Sequence, residues 1–243
     1  MEHHMRFEDQ RIAILGGTSG LGLATAKAAA AEGAAVIVAS ATAARVEGAL
    51  AQLPDSAEGH VVDLLDEDAV RGFFAAAGTI DHLAFTAGES LQLGLVADTP
   101  VADARRALDL RIWGAYTAVK HGAPRLREGG SIVLTSGSAG PRPGPGWGVG
   151  ALICSGIEGW ARAIALELAP LRVNVVRPGV IRTDLWDSMS EADRAGLYES
   201  VAAQLPVSRV GEAKDVAAAY LYLMANAHST GDIVTVDGGT LLV

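Results

Sequence analysis

Apolar and polar positions fall into two recurring patterns along the chain. Largely apolar short runs occur at 12–15, 34–39, 60–63, 81–86, 131–135, 173–176 and 233–236. A run without strict polar alternation is the mark of a strand covered on both faces, so these predict seven buried strands. The stretches between them, at about 23–32, 43–53, 66–77, 98–127, 151–169, 187–204 and 212–226, read as helices. Gly33 terminates the first helix and Pro170 closes the one at 151–169. Asp98 or Thr99 is expected to cap the helix at 98–127, with Pro100 in its first turn. Strands that alternate with helices require a parallel sheet with helices on both faces, a doubly wound α/β fold. No internal repeat, linker or second domain is visible, so a single domain is expected.

Composition narrows the function. Half of the 243 residues are apolar, enough for one large core. A formal net charge of −9 argues against general affinity for nucleic acid or an anionic membrane surface. Cys154 is the single cysteine, which excludes an intrachain disulfide and fits a reducing compartment. No apolar run is read as long enough to span a membrane, and residues 1–10 are too polar for a signal peptide. Residues 1–5 read as a leader outside the fold, and a cytoplasmic protein is expected. Lysine is rare, at Lys27, Lys120 and Lys214 only.

The chain is organised around residues 11–33: strand, glycine turn, helix. The turn is Gly16-Gly17-Thr18-Ser19-Gly20-Leu21-Gly22. Its glycines let the backbone approach a pyrophosphate, and the unpaired N–H groups at the helix start then face an anion. The alternative is a tight turn that binds nothing. The second strand ends at Ser40, with Thr42 and Arg45 close behind and no carboxylate to repel a 2′-phosphate. NADP(H) is therefore favoured over NAD(H), although Arg45 is equally readable as a solvated helix residue.

At this point the chain resembles the short-chain dehydrogenase/reductase family over nearly its whole length. Residues 16–22 match that family's G-x-x-x-G-x-G turn, and Asp63-Leu64 the acidic pair that meets the adenine. Phe85-Thr86-Ala87-Gly88 is similar to N-N-A-G, with both asparagines replaced. Arg177-Pro178-Gly179-Val180-Ile181-Arg182-Thr183 carries the P-G-x-x-x-T segment, so the resemblance places Pro178, Gly179, Ile181 and Thr183 beside the nicotinamide. It further implies a Rossmann-type seven-stranded parallel sheet in the order 3-2-1-4-5-6-7 and a helical substrate lid at about 184–206. A homodimer or homotetramer is implied, built on the helices at 103–121 and 151–169, with Leu241-Leu242-Val243 reaching a neighbour. No metal is implied.

The resemblance fails at the catalytic set of asparagine, serine, tyrosine and lysine. Aligning the helix end 162–170 without gaps puts Gly150 at the tyrosine and Cys154 at the lysine. Gly137 falls at the serine, flanked by Ser136 and Ser138, and Arg111 falls at the asparagine. No lysine lies between Lys120 and Lys214 and no tyrosine between Tyr116 and Tyr198, so the tyrosine–lysine pair is absent from its segment. A lost general acid costs about 10²–10⁴-fold. Arg111, Ser136, Ser138 and Trp147 remain as candidates. Arg111 can stabilise developing negative charge or anchor a carboxylate or amide, or it pairs with Asp109 or reaches solvent. Trp147, in the proline- and glycine-rich loop 141–148, either caps the cavity as a stacking surface or packs into the loop base. Cys154 reads as a small buried residue rather than a nucleophile.

The lid residues Leu185, Trp186, Met189, Leu197 and Tyr198 imply an apolar or aromatic small-molecule substrate, or the insertion's own packing. Asp184 and Asp187 are either receivers for a cationic substrate or solvated acids. The reading is an NADP(H)-binding oxidoreductase with a degenerate catalytic set, delivering hydride to a pre-activated, imine-like acceptor. Two alternatives stand beside it: a non-catalytic nucleotide-binding pseudoenzyme, and a non-redox enzyme for cyclisation or elimination.

Overall fold

Parallel pairing joins seven strands of the chain into one sheet. The computed structural model describes residues 5–91 and 93–243, so residues 1–4 of the expected leader lie outside the described residues. The elements run β1 (Arg11–Leu15), α1 (Gly20–Ala31), β2 (Ala35–Ser40), α2 (Ala43–Leu50), β3 (Glu58–Val61), α3 (Glu67–Ala77) and β4 (Ile80–Phe85). Next come α4 (Val101–Leu108), α5 (Ala115–Gly122), β5 (Leu126–Thr135), α6 (Gly148–Glu167), β6 (Arg172–Pro178) and β7 (Ile181–Arg182). The chain closes with α7 (Glu191–Gln204), β8 (Gly211–Glu212), α8 (Ala213–Ala225) and β9 (Ile233–Val236). The main sheet has the order β3-β2-β1-β4-β5-β6-β9. This is the expected order 3-2-1-4-5-6-7, its last strand numbered nine because the two-stranded ribbon β7–β8 intervenes.

Strand side chains alternate between faces, so each strand feeds two cores. Leu15, Leu83, Phe85 and Leu134 pack towards Phe74 of α3, Ala118 of α5 and Ile157 of α6. Ile14, Val38 and Val133 pack on the other face with Ala26 of α1 and Tyr220 and Leu223 of α8. Tyr220 is fully buried, and its hydroxyl shares a 2.6 Å hydrogen bond with Thr135 Oγ1.

Several boundaries depart from the sequence expectation, each for a local reason. β3 ends at Val61, and beyond it Val62 and Leu64 turn into the core while the Asp63 carboxylate accepts the Leu65 N–H at 2.9 Å. The long helix expected at 98–127 is broken. A π-helical segment, Asp109–Gly114, separates α4 from α5, and a 3-10 turn at Ala123–Arg125 ends the region around Pro124. Pro100 holds the N-cap position of α4, because the Thr99 hydroxyl donates back to the Leu95 carbonyl at 2.8 Å instead of capping. α6 begins at Gly148, three residues before the expected start at 151. At 20 residues it is long and apolar enough to cross a membrane by length and composition, which corrects the expectation that no run is. Its Ile153, Ile157, Ala161 and Ile164 are buried in this fold and account for one apolar face, while Leu152 and Leu166 remain exposed on the other.

One buried polar contact makes stability pH-dependent. His82 in β4 lies between Ser131 Oγ and Gln10 Oε1, each 2.8 Å from a ring nitrogen. Burial, and then the Arg172 charge, push its pKa down to about 4. Between that value and the unfolded value near 6.5, the unfolded chain binds more protons than the folded one. The contribution is thus fully present above about pH 6.5 and lost as pH falls towards 4, by roughly 3 kcal/mol. Urea unfolding at pH 7.5 and 4.5 should show this loss, and His82→Gln should flatten the slope in that window. An unchanged slope would dismiss the assignment.

Candidate active site

The loops after β1, β4, β5 and β6 meet at the carboxyl ends of the parallel strands, where doubly wound sheets bind ligands. Gly16 has φ +83°, and a Cβ there would stand 2.5 Å from the Ala87 nitrogen. A Cβ on Gly22 would stand 2.2 Å from the Gly16 carbonyl oxygen. Only glycine permits this closeness. α1 starts directly after Ser19, whose side chain does not cap it, and its first turn holds no acidic residue. The N–H groups of that turn and the positive end of the helix dipole are thus left for an anion. Thr18 is largely buried and Leu21 packs against the second core, so these two offer chiefly backbone. The residues present fit a dinucleotide pyrophosphate.

Around that turn the other expected cofactor residues are arranged as follows. Ser40 is buried at the end of β2, Thr42 is the N-cap of α2 with its hydroxyl uncommitted to the cap, and Arg45 is exposed. Arg45 makes no ion pair among the described residues. Asp63 is exposed with one carboxylate oxygen taken by Leu65, while the Leu64 side chain is buried. The Pro178 carbonyl accepts the Ser138 N–H at 2.9 Å, and the Gly179 N–H donates to Val236 at 2.9 Å. Ile181 is buried, and Thr183 lies 3.4 Å from where a Gly20 Cβ would be. The P-G-x-x-x-T segment therefore faces the glycine turn.

The four positions aligned with the family's catalytic residues come together beside this cradle. A Cβ on Gly137 would lie 3.2 Å from the Cys154 sulfur, and one on Gly150 would lie 3.8 Å from the Trp147 ring. Arg111 sits on the π-helical segment, a type of distortion frequent at functional sites. Its guanidinium lies against Gly88: a Cβ there would be 2.7 Å from Cζ and from both terminal nitrogens. Nη2 donates to the Glu89 carbonyl. Arg111 forms no ion pair with Asp109 or with any other acid among the described residues. Burial lowers its pKa, against the opposing influence of Cys154 and Glu89. Burial likewise pushes the Cys154 thiol up to about 11, so it is protonated at neutral pH and no nucleophile.

Ser136 and Ser138 have different fates. Ser136 Oγ donates to Glu158 Oε1 at 2.8 Å and is absorbed into a buried network. In that network Arg177 grips Glu158 with two hydrogen bonds of 2.7 Å and donates to Thr235 Oγ1 at 3.2 Å. Ser138 Oγ makes no hydrogen bond among the described residues. Trp147 meets Trp186 edge-on, with centroids 6.3 Å apart, and belongs to a cluster with Tyr198 and Val210. It therefore packs against the segment 184–206 and, through the ring edge 3.3 Å from where a Gly144 Cβ would be, against its own loop as well. Trp186 Nε1 donates to the Ile181 carbonyl at 2.9 Å, and Arg182 stacks 4.3 Å over the Tyr198 ring.

The Glu158–Arg177 pair was missed by sequence reasoning. Its signal was a carboxylate one turn after Cys154 on a largely apolar helix, a setting in which a buried charge demands a partner.

Sheet order, glycine turn and cleft define an oxidoreductase fold of the dinucleotide-binding class. Comparison with known proteins agrees. Residues 16–240 match the family described as enoyl-(acyl carrier protein) reductase. The short-chain dehydrogenase/reductase ATR9 of Stachybotrys chlorohalonatus is 39% identical over 250 residues, covering 96% of this chain and 97% of the relative. A small-chain dehydrogenase crystallised in complex with NADPH is 37% identical with a TM-score of 0.86, covering 97% and 100% of the two chains. The MalC reductase/Diels-Alderase of Malbranchea aurantiaca is 28% identical with a TM-score of 0.90, covering 99% of each chain. The chain belongs to the short-chain dehydrogenase/reductase family.

Proposed function

We propose that the protein is an NADP(H)-dependent reductase that uses Arg111 in place of the family's proton-donating machinery. The observation that carries this reading is a half-buried guanidinium, flat on Gly88, that donates to the Glu89 carbonyl and forms no ion pair among the described residues. The reduced dinucleotide, when bound, supplies a hydride. Arg111 then stabilises negative charge that develops on an acceptor oxygen, without giving up a proton. Gly150 lines the space beside it without a side chain, Cys154 fills the place next to Gly137, and Trp147 walls that space on the side of residues 184–206, which act as the lid.

Two activated acceptors dispense with an enzymatic acid. An iminium carbon is already cationic, but a unit charge about 4 Å from the guanidinium would be repelled by roughly 4 kcal/mol at an effective dielectric near 20. Hydride addition to the β-carbon of a conjugated carbonyl instead forms a C–H bond and places the electron pair on oxygen as an enolate. The oxygen of that anion is a far weaker base than an alkoxide, so it can rest against Arg111 unprotonated while water delivers the proton to the α-carbon. Arg111 thus favours the conjugated carbonyl over the imine. Following NADPH consumption with matched enones, cyclic imines and simple ketones tests this: the enones should lead, and a lead by the imines would overturn it. The reductase/Diels-Alderase among the neighbours supports a second reading, a cyclisation in the same cleft. Product that forms equally with oxidised cofactor would establish it.

The cofactor preference rests on Thr42, Arg45 and the absence of an acid at Ser40. Fluorescence titration should give tighter binding of NADPH than NADH, and Arg45→Glu should erase most of the difference. Equal affinities in the parent protein would remove Arg45 from the site. A homodimer or homotetramer is supported by exposed Trp113, Tyr116 and Leu152, with Tyr116 stacked on Trp160 at 5.8 Å.

A further inference from the structure

The cleft beside Arg111 is nearly closed. About 20 Å³ of it is open to the centre of a water molecule, room for about one. Even a small cyclic conjugated ketone is several times larger, so a wall must move before an acceptor enters. Two covers meet over the cleft, the segment 184–206 and the loop 141–148. They touch where Trp147 meets Trp186, edge-on at 6.3 Å.

The two sides of that contact are held very differently. Trp186 is 4% exposed, and its indole N–H donates to the Ile181 carbonyl at 2.9 Å. Tyr198 is also buried, with the Arg182 guanidinium 4.3 Å over its ring, and Arg182 pairs in turn with Glu212 at 3.4 Å. The Ser190 hydroxyl caps α7 by accepting the Asp193 N–H, and Asp187 pairs with Arg194 at 2.6 Å. The lid is thus fixed to β7, on the side of the nucleotide cradle. Residues 141–145, in contrast, are all exposed. Trp147 is half-buried, and its indole N–H has no hydrogen-bond partner among the described residues. The Gly94 N–H, donating to the Gly146 carbonyl at 2.9 Å, ties the loop to the segment beside it. The Trp147 carbonyl accepts the Ala151 N–H at 2.8 Å, which keeps its backbone on the start of α6. Its ring can turn out when the flap 141–146 yields. The prolines keep that flap stiff, and Gly146, at φ +82°, supplies a pivot.

We propose that Trp147 is the gate of the cleft: its ring leaves Trp186 to admit the acceptor, while the lid stays anchored to Ile181 and Arg182. This rests on the reductase reading, which puts the acceptor beside Arg111, and adds the residue that controls entry and release. Opening gives up an edge-on aromatic contact and a backbone hydrogen bond. Moving the lid instead would strip a buried indole of its hydrogen bond and a buried phenol ring of its cover.

The test labels the full-length protein with fluorotryptophan and reads fluorine NMR relaxation dispersion at its four tryptophans. Trp147→Phe and Trp186→Phe assign the two signals that matter. Trp147 should exchange between two environments on the microsecond-to-millisecond timescale of loop gating, and Trp186 should not. The opening rate at Trp147 must equal or exceed kcat for cyclohexenone with NADPH. Trp147→Ala should raise kcat/KM for the larger phenylbutenone relative to cyclohexenone by about fivefold, the scale of one lost aromatic contact. If neither ketone is consumed while Trp147 alone exchanges, the reductase reading fails and the gate stands. Should Trp147→Ala fail to fold, the parent spectrum decides alone. Exchange of Trp186 together with Trp147, exchange of neither, or an opening rate below kcat overturns the inference. So does a ratio that falls in Trp147→Ala, which would make Trp147 a binding wall instead.

Discussion

Arg111→Met is expected to lower kcat/KM for NADPH-dependent reduction by about 10²–10³, the usual cost of removing one oxyanion-stabilising donor. The loss should fall on kcat, because the interaction grows as charge develops on the acceptor oxygen. The NADPH Kd should stay near the parent value, since Arg111 lies beside the cradle and not in it. Arg111→Lys should recover only part, because an ammonium lacks the planar fork that lies on Gly88. Gly88→Ala gives an independent check that keeps the arginine. Its new Cβ would come within 2.7 Å of the guanidinium, so the guanidinium must move and kcat must fall with it. Steady-state kinetics of the three variants decides. Turnover of Arg111→Met within a factor of about three of the parent would show that Arg111 is not the charge stabiliser.

The same arginine shows how far the sequence alone reaches. The buried strands and the glycine turn were legible because they rest on short-range rules, apolar runs for strands and glycine for close backbone approach, while the strand order was legible only through the family resemblance. Gly16 and Gly22 illustrate the second rule, with would-be Cβ contacts of 2.5 and 2.2 Å. That no tyrosine lies between Tyr116 and Tyr198 and no lysine between Lys120 and Lys214 needed only a count along the chain. What Arg111 does was not legible. Its direction depends on the π-helical segment Asp109–Gly114, which no periodicity announces and which replaced an expected continuous helix. Trp147 was legible as a neighbour of Gly150, but its packing on Trp186 joins residues far apart in sequence. Ser136 offered itself as a surrogate for the missing serine, and the fold instead commits its hydroxyl to Glu158. These failures share one cause: side-chain partners across elements are set by tertiary packing, not by local pattern.

The largest stability effect should come from that buried network. Arg177→Met removes the partner of a carboxylate whose side chain is only 9% exposed, leaving Glu158 charged with Ser136 as its remaining donor. Breaking one side of a buried pair costs about 3–5 kcal/mol, which for a domain of this size lowers Tm by on the order of 10 °C. Burial works to raise the Glu158 carboxyl, and the hydrogen bonds from Arg177 and then Ser136, with the Arg177 charge, outweigh it and hold the group below its ordinary range. In the parent this stabilisation is present above the unfolded pKa near 4.5 and is lost as pH falls through the lower folded value. Glu158→Leu/Arg177→Met is the discriminating variant. An apolar pair of similar volume avoids both the unpaired charge and the desolvation, so most of the lost stability should return. Because the network ties α6 to β6 one turn beyond Cys154, the double variant also asks whether the ion pair positions the site. If stability recovers while kcat with the conjugated ketone does not, Glu158 and Arg177 are positioning residues that fix Gly150 and Pro178 against each other. If both recover together, packing alone sets that geometry, and the charges contribute to neither.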